Sequence, residues 1–151
     1  MALALQGTKH FVLLDPVSLL TNATNNSNSV DTSGYDELQI VLTRGTHATD
    51  AMATLLVQSS DDNSTWATVA GYVSGTDYAV DSMSGGTNAA SSKPAAVFNI
   101  DLRGKKRYFR LGTIAPSGTA AIVGVTATLD RASVTTTNAS GAGVSVIVQP
   151  S

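Results

Sequence analysis

The chain has no cysteine, a single glutamate (Glu37) and two histidines (His10 and His47), and only 13% of it is charged. Without thiols, disulfides and thiolate metal sites are excluded, and no redox compartment can be read. The charged share is about half of the roughly 25% usual for a globular domain. A net charge of −2 argues against a protein whose main work is neutralising phosphate. No run approaches the roughly 20 apolar residues needed to cross a bilayer. The opening MALAL has no basic residue ahead of it and is soon interrupted by Gln6, Lys9 and His10. A secretory signal is therefore not expected, and synthesis in the cytoplasm is. Motifs that carry chemistry are missing too: there is no G-x-S-x-G, H-E-x-x-H or G-x-x-x-x-G-K-[ST]. With one histidine in a terminal arm and the other in a loop, the expectation is a non-enzyme with no cofactor and no metal.

What fills the chain instead is Ser, Thr, Asn and Gly, residues of turns and strands rather than helix interiors. Its 151 residues, 42% of them hydrophobic, suffice for one domain with one core. Short stretches alternate with the period of a half-buried strand. Leu38, Ile40 and Leu42 oppose Gln39, Val41 and Thr43. Phe98, Ile100 and Leu102 oppose Asn99 and Asp101. Val123, Val125, Ala127 and Leu129 oppose Gly124, Thr126 and Thr128. Further strands are expected at 11–14, broken by Asp15-Pro16, and at 53–59, 66–69 and 107–111. Polar excursions at 21–34 and 72–95 read as loops with little to bury. About eight short strands with no helical period define the expected fold: an all-β, single-domain antiparallel β-sandwich, jelly-roll-like, with extended terminal arms. Residues 1–10 form an N-terminal arm, 11–132 the sandwich, and 133–151 a flexible spacer ending in a strand or exchangeable arm.

Three features stand out as candidate contacts or anchors. Arg103, Lys105, Lys106, Arg107 and Arg110 place five of the nine basic residues within eight positions, interleaved with Tyr108 and Phe109. That spacing fits either a solvated turn or a protein-contact patch; period 2 sends Phe109 inward and Tyr108 and Arg110 outward. Single-strand nucleic acid binding uses similar residues but ranks behind both, and no nucleic acid or membrane partner is expected. Asp61-Asp62-Asn63 reads as a hairpin turn that caps itself, in preference to a Ca²⁺ site. The single tryptophan, Trp66, lies four residues past that turn and is expected as a core anchor. In the tail, Val144, Val146 and Val148 alternate and could add as a strand to a sheet edge.

The stretches YDELQIVLTRGT, LLVQSSDDNSTWATV and DLRGKKRYFRL, spanning Tyr35 to Leu111, resemble small bacteriophage virion proteins, the head decoration or cement proteins with β-sandwich folds. The most specific segments are V-Q-x-S-x-D-x-x-x-W and D-L-R-G-x-K-R-Y-x-R. The resemblance implies a homotrimer on the outer capsid surface, bridging major capsid protein subunits and other virion components. The same segments resemble discoidin-like jelly rolls, which carry S-x-D-G-x-x-W and a late R-Y-x-R strand. Here Asn63 stands in place of that glycine, and the cysteines that often bridge those domains are absent. The second resemblance implies a carbohydrate-binding adhesion module with Tyr72, Tyr78 or Trp66 lining a glycan groove. A tail or baseplate structural role shares the fold of the first.

Overall fold

A computed structural model describes residues 7–19, 24–45, 52–79, 95–116, 121–131 and 146–148. Among them are nine strands and no α-helix. These are β1 (Lys9–Leu19), β2 (Val30–Asp31), β3 (Glu37–Arg44), β4 (Met52–Ser60), β5 (Ala67–Val73), β6 (Ala95–Asp101), β7 (Tyr108–Pro116), β8 (Ala121–Asp130) and β9 (Val146–Val148). One sheet has the order β1-β8-β3-β6-β9 and the other β2-β7-β4-β5. The antiparallel ladders join β1 to β8, β2 to β7, β3 to β6 and β4 to β5. Strands at the two ends of the chain thus pair progressively toward its middle, like one long hairpin rolled over itself. That is the connectivity of a jelly roll, and it leaves each sheet with one face to bury.

The alternation in the sequence decides which face. Leu38, Ile40 and Leu42 on β3, Phe98 and Ile100 on β6, and Val123, Val125 and Leu129 on β8 point inward. They meet Leu55, Val57, Phe109, Leu111 and Ile114 from the second sheet in one buried cluster. Burying each such side chain is worth about 1.5 to 3 kcal/mol. Two tyrosines bridge the layers. The Tyr72 hydroxyl donates to the Asn99 carbonyl at 2.6 Å, and the Tyr78 hydroxyl to the Leu55 carbonyl at 2.7 Å. Tyr78 also meets Phe98 edge to face at 5.8 Å.

Four expectations are corrected. Lys9 and His10, expected in an arm over residues 1–10, belong to β1 and pair with Leu129 and Thr128; residues 1–6 lie outside the described residues. Pro16 does not end β1. The strand continues to Leu19 through a register shift between Leu14 and Val17, and β1 lies at a sheet edge, where a missing N–H is tolerated. The excursion at 21–34 is no inert loop: it contains β2, and Ser27 and Thr32 are buried. Its polar side chains act as surrogate backbone along the edge of β7. Asn25 Nδ2 donates to the Ile114 carbonyl, Ser27 Oγ accepts from the Leu111 amide, and Thr32 Oγ1 donates to the Arg107 carbonyl. Lastly, Trp66 is not a core anchor. It is half-buried, outside the buried cluster, for a reason of register given below.

At the other end, Val146, Ile147 and Val148 pair in parallel with Ala96, Val97 and Phe98 of the same chain. Val144 lies outside the described residues, as does His47.

Candidate functional site

The outward face of the β2-β7-β4-β5 sheet carries the motif residues. Gln58 on β4 stands opposite Arg110 on β7 and opposite Thr68 on β5, while Ser59 and Phe109 pair on the buried side. Cross-strand partners share a face and neighbours alternate. Trp66, two residues before Thr68, therefore falls on the outer face with Gln58 and Arg110. There the Arg110 guanidinium lies over the Trp66 ring, 4.2 Å from its centroid, and its Nε donates to Gln58 Oε1 at 2.8 Å. Gly112 makes this possible: a Cβ there would sit 2.5 Å from Gln58 Oε1, so only glycine lets the amide lie flat on β7. Burial holds the Arg110 pKa below its ordinary value. Arginine, tryptophan and amide form a fixed plate on an open sheet.

The rest of the basic run behaves differently. Arg103 grips Asp101 through both carboxylate oxygens, with Nη2 at 2.6 Å. Arg107 holds Asp31 in the same forked manner at 2.7 and 2.9 Å and lies 5.1 Å from the Tyr108 ring centroid. Lys106 pairs with Asp61 at 3.2 Å. The Arg103 hydrogen bonds bring Asp101 down to about 2, and Arg107 lowers Asp31. Solvent screens exposed pairs of this kind, so they add little stability, but they cancel charge. Lys105 is exposed. Lys106 and Arg110 are the two half-buried cations of the run; Lys106 pairs with Asp61, whereas no carboxylate among the described residues pairs with Arg110.

The Ser60–Thr65 turn closes on itself. Asp62 Oδ1 accepts from the amides of Ser64 and Thr65 at 2.9 and 2.7 Å and from the Ser60 hydroxyl, while Oδ2 accepts from the Thr65 hydroxyl. These donors hold its pKa well below the usual carboxylate range, the backbone amides of Thr65 and Ser64 first. Asn63 has φ 57°, the left-handed conformation that asparagine tolerates better than most residues. Asn63 thus takes, at the position where the S-x-D-G-x-x-W pattern has glycine, a conformation open to glycine as well. Asp61, exposed, supplies the carboxylate for Lys106.

The proposed glycan groove does not form from the tyrosines. Tyr72 is buried, Tyr78 is half-buried, and both hydroxyls are spent on backbone carbonyls inside the sandwich. On the opposite sheet, Glu37 stands between Asp101 and Asp130, and its pKa is raised by burial first and by the Asp130 charge second. Val146 and Val148 belong to the edge strand beside β6, in the other sheet from the plate. Sequence reasoning singled out Arg110 and Trp66 but missed Gln58 and Gly112. The usable signal was a glycine in mid-strand, which marks a close approach.

The architecture defines a jelly-roll β-sandwich with a preorganised Arg–Trp–Gln plate on one outer face. No protein-family model matches the chain, and no curated protein sequence does. Among solved structures it is similar to the PBSX exported protein XepA, with a TM-score of 0.53 over 85% of this chain at 14% identity. The chain spans 39% of that protein's length, and the likeness is one of fold.

Proposed function

We propose that this protein is a structural component of a bacteriophage virion, a cement or decoration protein that binds the outer capsid surface as a homotrimer and bridges capsid subunits. The observation that carries the reading is the jelly-roll connectivity, a fold recurrent in viral coat domains and shared here with an exported protein of phage PBSX. The sequence resemblance to head decoration proteins points the same way. In this role the protein does no chemistry: symmetry multiplies modest contacts, and a second attachment made by a tethered subunit gains from high effective concentration. The contact surface is the Arg103–Arg110 turn with the Trp66 plate. The sugar-binding reading loses support, since Tyr72 and Tyr78 face inward and one Trp66 face is covered by Arg110.

The test is addition of purified protein to phage heads stripped of it, followed by sedimentation and light scattering. Saturable co-sedimentation by a species of three times 15.4 kDa is expected. Protein that stays in the supernatant and scatters as a monomer would contradict the reading.

A further inference from the structure

We infer that Arg110, laid on Trp66 and steered by Gln58, is a docking site for a carboxylate side chain of a partner protein. Three observations carry this.

The first is charge accounting. Arg103, Lys106 and Arg107 each have an aspartate of this chain and Lys105 is exposed to solvent, whereas the half-buried Arg110 is given an aromatic face and a neutral amide. A partly desolvated cation is stabilised by a counter-charge, and no described carboxylate supplies one to Arg110.

The second is geometry. Nε is spent on Gln58, which leaves the Nη edge of the fork for an acceptor. Carboxylates match that fork with paired, charge-assisted hydrogen bonds. Gln58 lies across Gly112 and Trp66 backs the guanidinium, so the side chain is ordered before a ligand arrives, which lowers the entropy cost of binding.

The third is the type of surface. Tryptophan, tyrosine and arginine dominate the energetic centres of protein interfaces, and Trp66, Tyr108 and Arg110 share this face. A neutral sugar needs an open aromatic face for stacking, and the ring face under Arg110 is taken. The inference deepens the virion reading by naming the chemistry its partner presents.

Trp66 is the single tryptophan, so its fluorescence reports on this plate without background. The probe is a hexaglutamate peptide at low salt, with an oligogalacturonate of similar charge as the sugar-borne carboxylate. Expected is a saturable change in Trp66 emission with the peptide. It should be at least tenfold weaker in Arg110→Lys, absent in Arg110→Gln, and suppressed in about 0.5 M salt, where screening is strong. Both variants are first checked for an unaltered melting temperature; Arg110→Lys keeps the charge should Arg110→Gln fold poorly. A response to the oligogalacturonate alone, an equal response in Arg110→Lys, or none at all would overturn the inference. Peptide binding without head binding would sink the capsid reading and leave this site standing. Head binding indifferent to Arg110→Lys would do the reverse.

Discussion

Replacing Gly112 with alanine tests the plate without touching any residue in contact with solvent charge. The added methyl would stand 2.5 Å from Gln58 Oε1 and 2.7 Å from its Cδ, so the amide must swing away and release Arg110 Nε. A hydrogen bond to a charged group contributes about 1.5 to 3 kcal/mol. Against that, alanine is better than glycine in a strand by about 0.5 to 1 kcal/mol, and Gly112 does not need positive φ. The net for Gly112→Ala is a loss of about 0.5 to 2.5 kcal/mol. In a Gln58→Ala background nothing is displaced, and the same substitution should stabilise by about 0.5 to 1 kcal/mol. The coupling between the two positions is then about 1.5 to 3 kcal/mol, measurable as a double-mutant cycle in urea. Equal effects of Gly112→Ala in both backgrounds would mean that Gln58 is not held by this contact, and the case for a preorganised Arg110 would fail.

Other outcomes follow from the core and the sheet edges. Phe98→Ala, at a fully buried position against Tyr78, should cost about 3 to 5 kcal/mol in urea denaturation. Burial pushes the Tyr72 hydroxyl from 10.0 up to about 12 and Tyr78 in the same direction. The folded state therefore holds these protons more tightly than the unfolded one. The Tyr72 contribution is complete below pH 10.0 and is lost as pH rises through about 12, and Tyr72→Phe should flatten that alkaline limb. In this cysteine-free chain, Val97→Cys combined with Ile147→Cys, which are register partners, should oxidise to a disulfide within one chain. A product linking two chains would mean that β9 comes from a neighbour.

Most of the sandwich was legible because period 2 is a local property. The alternation around Ile40, Ile100 and Val125 assigned inner and outer faces that the structure reproduces, Phe109 inward and Arg110 outward included. What failed depended on partners remote in sequence. Pro16 looked like a terminator because its place at an outer sheet edge is set by β8, more than a hundred residues away. Asn25, Ser27 and Thr32 looked like filler because the β7 backbone they bond is 75 to 89 residues distant. Trp66 was assigned to the core by residue type, although counting from Thr68 with the Gln58 register sends it outward. The basic run was visible, but the aspartates that neutralise three of its members, Asp31 and Asp61 especially, lie on other strands and turns. Their subtraction leaves Lys105, which is exposed, and Arg110, which is half-buried.

The most direct test of the proposed virion role is quantitative mass spectrometry of purified particles of any phage whose genome carries this chain, counting it against the major capsid protein. A fixed ratio, unchanged by further purification and set by the capsid's three-fold positions, is expected of a cement protein. Its absence from particles that carry the rest of the head would contradict the proposal.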